Sequence, residues 1–325
     1  MNPLLRSKWS FMSTLLALGA MLLVAPVLPT LAVSGLLGPS RTSAERATHL
    51  VCAGGKEIFI LDADDLAKGI ARKIWSWTAS PEAGVPESRT KWFANLDDAK
   101  PINDGKHVLI TASNSGVALV DIASRKVTWM ATVRNAHTAE MLPGGLIVAA
   151  SSIGGDELLL FDPKAPTPES PVFRTPLPSA HGLVWDDDRK TLWALGYDEL
   201  RAYTITSNDH AQTQLVLSKT HKLPGIGGHD LRAVPKTAGL LISNKEHVYI
   251  FDRIKEQFTE HTTLGKIEKV KSIDVHPVTG QLVHSLWGQK ITLSNPDSEI
   301  KTGSSIVYKA RWFTGDIAVS VQDGR

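Results

Sequence analysis

Apolar runs alternate with turn residues along most of the chain, and one apolar block keeps returning. It reads "EIFILDADD" from residue 57, "VALVDIASR" from 117, "LLLFDPKAP" from 158, "LRAYTITSN" from 200, "VYIFDRIKE" from 248 and "ITLSNPDSE" from 291. From the second copy on, the intervals are 41, 42, 48 and 43 residues. The first interval is longer and holds the polar, proline-bearing insert "SPEAGVPESRTKW". Each block follows a turn such as "AGGKE", "SNSG", "IGGDE" or "WGQK", and each turn follows a β-branched or aromatic run such as "HVLITA" or "TLWAL". Turn residues between such runs make hairpins. A further short run after each block, for example "KIWSW" or "KVTWMA", supplies an outer strand. Four strands repeating at this period are the blade of a propeller.

The first copy enters at what is the second strand elsewhere, through "ERATHLVCAGG", and the carboxy end has a spare segment, "SSIVYKARWFTGD" at 304–316. Pairing the two in one sheet closes the ring and removes exposed edges. The fold class read from the sequence is therefore all-β, a six-bladed β-propeller over 48–317, with a C-terminal strand completing the first blade.

The amino terminus breaks the pattern. Arg6 and Lys8 precede an apolar stretch from Phe11 to Val33, interrupted by Pro26 and Pro29 and followed by small residues around Ala32. This reads as a signal peptide over 1–32, or an uncleaved anchor, then a linker at 33–47; a tail occupies 318–325. The expected location is exported, periplasmic or extracellular, with no membrane span in the mature domain and a monomeric state. Taking Arg6 and Lys8 from the 35 basic residues leaves 33, equal to the 33 acidic ones. A neutral domain argues against a nucleic-acid partner, which calls for a basic face. Cys52, the only cysteine, stands in a strand-like run and reads as a buried, inert thiol.

Counting back five residues from the turn that closes each innermost strand gives one polar residue per blade: Asp98, His137, His181, His229, Lys271 and Lys309. Lys100 and Arg311 are the nearest alternatives where the turns align loosely. Equivalent positions of innermost strands converge on one mouth of the central channel. Any one of these residues alone reads as a hydrogen-bonded strand end; six at one structural position read as a ligand-binding site, with a merely solvating polar ring as the alternative. His137, His181 and His229 could hold a divalent metal, manganese, zinc or calcium. Lys271 and Lys309 would repel that ion but would bind an anion, or serve as a catalytic base if neighbouring charge lowers their pKa. Trp312, three residues beyond Lys309, is the tryptophan expected to stack on a sugar ring, while most others pack between blades. His107, His247, His276 and His284 read as structural, and Asp186, Asp187 and Asp188 as turn residues. No P-loop, dinucleotide fingerprint, G-x-S-x-G or HExxH stands in the mature chain.

With its blade pattern and the "AH", "HG" and "GHD" at the blade starts, the sequence resembles an uncharacterised family of exported six-bladed propellers in the WD40-like and YVTN-like class, over about 48–317. It is similar, more distantly, to the oligogalacturonate lyases, and that resemblance implies a manganese ion on His137, His181 and His229. The resulting expectation is an exported propeller that binds a carbohydrate or other anionic small molecule at the channel mouth, as a metal-assisted polysaccharide lyase or related carbohydrate-active enzyme. In that version the metal neutralises a uronate carboxylate and Lys271 or a histidine removes the adjacent proton. The alternative is a non-catalytic scaffold for a protein or cell-envelope partner.

Overall fold

Six four-stranded antiparallel sheets stand around one axis in the computed structural model, which describes residues 48–206, 212–294 and 297–314. The leader and linker expected at 1–47 and the tail at 318–325 lie outside the described residues. The innermost strands are Leu96–Ile102, Ala136–Met141, Gly182–Asp186, Asp230–Ala233, Ser272–Val275 and Lys309–Thr314. Each touches the next around the circle, and the last touches the first. The ring is closed as the chain's two ends suggest: Lys309–Thr314 pairs antiparallel with Thr48–Gly54, Val51 opposite Arg311, and blade one is completed from both termini.

Covering both faces of each sheet explains why the recurring blocks are continuous apolar runs rather than alternating ones. Ile58, Phe59, Ile60 and Leu61 are all fully buried, so successive side chains point into the two blades on either side. Outer strands have one solvated side, and Val127–Thr132 accordingly alternates in burial. Tryptophans join blades: Trp75 Nε1 donates to the Ile122 carbonyl at 2.9 Å, and Trp129 Nε1 to that of Pro168 at 2.7 Å.

The insert after the first block folds into two short 3-10 helices, Pro81–Ala83 and Glu87–Phe93, that fill the cleft between blades one and two. Val85 and Phe93 are buried there, and the Phe93 ring meets Trp77 edge-on at 5.7 Å. Gly116 lies under that ring; a Cβ there would stand 2.5 Å from it, so only glycine fits. No helix among the described residues is long and apolar enough to cross a membrane.

Candidate functional site at the channel mouth

Main-chain pairing fixes which residues are equivalent from blade to blade. The first pairs between innermost and second strands are Gly182 with Leu195, Asp230 with Ser243, Ser272 with Ser285 and Lys309 with Ala53. In blades two and three a bulge residue stands at the preceding step, Asp97 between Leu96 and Asp98, and His137 between Ala136 and Thr138. The ring at the mouth is therefore Asp97, His137, His181, His229, Lys271 and Tyr308. Asp98 and Lys309, assigned to this ring by counting back from the turns, belong one step deeper, level with Thr138, Gly182, Asp230 and Ser272. The count slips because the inner strands of blades two and one continue to Ile102 and Thr314, one and two pairs further than blade three's, which ends at Met141.

Below the mouth the axis is filled by ion pairs. Arg311 bridges two blades: Nε donates to Asp98 Oδ1 at 3.0 Å, Nη1 to Asp230 Oδ2 at 2.6 Å and Nη2 to Asp230 Oδ1 at 2.6 Å. Lys309 Nζ lies 3.2 Å from Asp230 and 3.9 Å from Asp98, with no exposed side-chain surface. Thr138 adds a hydroxyl to Asp98 Oδ2 at 2.7 Å. Two buried carboxylates thus face two buried cations. Against the cost of burial, the charges of Arg311 and Lys309 hold the Asp98 carboxyl far below the ordinary range and that of Asp230 at about 2. Level with Arg311, Lys100 pairs with Glu140 at 2.8 Å and Arg232 with Asp274 at 3.0 Å. Between these polar levels the same strands place Ala99, Ala139, Leu183, Leu231, Ile273 and Ala310, all buried, against the neighbouring blades.

The three histidines do come together above this plug. The His137 and His181 rings are stacked, centroids 4.1 Å apart, and His229 meets His181 edge-on at 5.6 Å. Their partners fix tautomers. The His181 Nδ1 faces the Ser179 carbonyl at 2.9 Å, which can only accept, so Nδ1 bears the proton and Nε2 keeps its lone pair. His137 Nδ1 is 3.3 Å from Asp97 Oδ1 but out of line for a hydrogen bond. His229 Nε2 accepts from Lys271 Nζ at 2.9 Å, leaving Nδ1 buried without a protein partner.

The field at the mouth is positive. Burial first, then the charges of Lys271 and Lys309, lower all three imidazoles: His181 to about 4, His229 to about 3, and His137 well below the usual value. Lys271 is itself brought down to about 8 by burial and by Lys309, Lys245 and Lys269. Burial pushes Asp97 up to about 7 against the hydrogen bonds from Ser113, and it raises the Tyr308 hydroxyl, with the nearby carboxylates acting in the same direction. At neutral pH the mouth presents one ammonium, three neutral imidazoles, a phenol and the Asp97 carboxyl at the middle of its titration, over an electrically balanced floor.

Trp312 does not reach this mouth. It lies four residues deeper than Tyr308, packs in the core with Leu50 and Cys52, and meets the His276 ring at 5.0 Å. The aromatic at the mouth is Trp287, 57% exposed, whose ring stands edge-on to Tyr308 at 5.6 Å. Trp287 has φ 69°, a left-handed conformation that a bulky side chain adopts at a cost of about 1–3 kcal/mol. The clue in the sequence is its place in the turn "WGQK" rather than inside a strand. Other side chains fall in structural roles: His276 Nδ1 accepts from the main-chain N–H groups of Val278 and Thr279, and Asp186 is buried against Arg253 and Arg189. Cys52 is buried, and burial raises its thiol above the usual range.

Among the described residues no three His, Cys, Asp or Glu side chains are gathered as a metal-holding set. The stacked rings put lone pairs side by side rather than converging, and Lys271 occupies the third imidazole. No curated protein matches the sequence. Residues 40–322 match the family of unknown function DUF6528, and the chain belongs to it.

Proposed function

We propose that the mouth binds a small anionic ligand, a carboxylated sugar by preference, with Lys271 as the charge that receives it. The observation carrying this reading is the contact of Lys271 with His229 in a ring whose imidazoles are all held neutral, by burial first and then by the positive charge around them. Such a cup gains most from an anion, because the anion offsets a field that is poorly screened by solvent. The unpartnered Nδ1–H of His229 supplies a further donor, and Trp287 with Tyr308 supplies an aromatic wall. Export through the segment at 1–32 belongs to the same proposal and puts the ligand outside the cytoplasm. The test is calorimetric titration with mannuronic acid against its neutral counterpart, mannose; equal heats, or none from either, remove the reading.

A second reading keeps a divalent metal at the mouth, and one observation favours it: His181 donates its Nδ1–H to the Ser179 carbonyl, the arrangement that holds Nε2 ready for an ion. In the lyase version His137 and His181 would hold the metal, whose charge would neutralise the carboxylate, while Lys271, lowered to about 8, would in its neutral form take the carbon-bound proton as the glycosidic oxygen on the next carbon leaves. Lys309, sealed below and paired with Asp230, acts on the field rather than as a base. Millimolar manganese or zinc that leaves the melting temperature unmoved removes this version.

A further inference from the structure

Lysines continue outward from Lys271 along the same face. Lys245 and Lys269 are exposed, and the Lys269 main-chain N–H donates to the Lys245 carbonyl at 2.9 Å, which holds the two loops of blades five and six together. Both charges reach Lys271, where they act in the same direction as Lys309. Neither ammonium is in an ion pair among the described residues, although Glu246 and Glu268 neighbour them in sequence. Lys245 Nζ stands 6.0 Å above the Tyr197 ring, itself 37% exposed.

On the other side of Lys271, Trp287 forms one wall of a groove of about 420 Å³ that runs out over blade six. Leu286, Gly288, Gln289, Lys290, Lys301 and Gly303 complete its lining. Lys290 is taken up by Glu299 at 2.6 Å; Lys301 is exposed. The mouth is thus flanked by an arc of lysines on one side and an exposed indole beside polar donors on the other.

We infer that the mouth is the central part of a longer cleft, in which an acidic sugar chain lies across blades five and six with successive carboxylates on Lys271, Lys269 and Lys245 and a ring against Trp287. This rests on the reading of the mouth as an anion site and names its ligand as a chain rather than a single sugar. Three lysines whose charges act on one another favour a repeating anion, since several weak exposed contacts add along one chain where each alone is screened. The exposed indole, on a backbone held in a strained conformation, suits the flat apolar side of a sugar ring. An RNA or DNA strand is also a repeating anion, but it calls for a strongly basic domain, and the basic and acidic residues beyond the leader balance.

The test compares mannuronic acid with its linear hexamer on the full chain, using the wild type, Lys245→Gln/Lys269→Gln and Trp287→Ala. All three positions are exposed, so the variants fold. The hexamer is expected to bind about tenfold or more tighter than the monomer at low salt, with a steeper salt dependence. That advantage disappears in the double lysine variant and shrinks in Trp287→Ala, while in the double variant the monomer still binds and loses much less affinity than the hexamer does. Equal affinity for monomer and hexamer overturns the cleft and leaves the mouth as an anion site. A hexathymidylate that binds as tightly as the uronate hexamer overturns the sugar assignment. If neither uronate binds, cleft and mouth readings fall together.

Discussion

Arg311 donates to both carboxylate oxygens of Asp230 at 2.6 Å, and through this contact the strand Lys309–Thr314 is held to blade five across the axis. The ring is therefore closed twice, once at the edge by main-chain pairing with Thr48–Gly54 and once in the middle by a buried guanidinium.

Breaking the inner closure is costly. Arg311→Leu leaves Asp98 and Asp230 buried with Lys309 alone, and a loss of about 3–5 kcal/mol follows from stranding a buried charge. Thr138→Val, which removes one hydrogen bond to the Asp98 carboxylate, costs about 1.5–3 kcal/mol. Urea unfolding of both variants checks the order and the size.

The two closures also differ in how far sequence reveals them. The outer one follows from counting strands, because a blade missing its first strand at one terminus needs the spare strand at the other. The inner one does not, since Arg311, Asp98 and Asp230 are 81 to 213 residues apart and carry no shared motif. Repeat spacing brought His137, His229 and Lys271 to one mouth because their inner strands run four pairs below it, and His181 joined them because the count in blade four, whose strand runs five, began on the strand's own last residue, Asp186. It misplaced Asp98 and Lys309 because inner strands can lengthen at the far end without changing the period. Trp312 followed Lys309 into the wrong level, and Trp287 was hidden because a single tryptophan in a turn has no periodic signature.

The imidazoles set an acid-side slope. His181 and His229 titrate at about 4 and 3 when folded and near 6.5 when unfolded, so the unfolded chain binds more protons between these limits. Asp97, whose carboxyl is raised to about 7, binds its proton in the folded state and works in the opposite sense, so stability falls as pH drops from about 6.5 to 4 by the excess of the imidazoles over this one carboxyl. Asp98 and Asp230 shift below their unfolded values, so their contribution holds above about pH 4 and is lost only as pH falls toward 2. His181→Asn/His229→Asn flattens the first slope and leaves the second. Denaturant midpoints measured from pH 8 to 3 separate them.

The two tryptophans part company under substitution. Trp312→Ala opens a cavity in the packing between blades and costs about 3–5 kcal/mol. Trp287→Gly relieves a left-handed residue on the surface and leaves stability equal or higher. Melting temperatures of the two variants, run side by side, check this.

Cys52 has no exposed surface, and burial keeps its thiol protonated. A thiol reagent therefore labels it no faster than the protein unfolds. The rate of labelling in the native state, compared with that in denaturant, measures this directly.

Lys271 carries the account of the mouth, and its own titration gives the sharpest measurement: the affinity for mannuronic acid as a function of pH, in the wild type and in Lys271→Gln. The account predicts that wild-type affinity is steady below about pH 7, falls as pH rises through about 8 with loss of the ammonium, and is about tenfold or more weaker in the variant at pH 7. An affinity that ignores pH across this range, or a Lys271→Gln variant that binds as the wild type does, contradicts it.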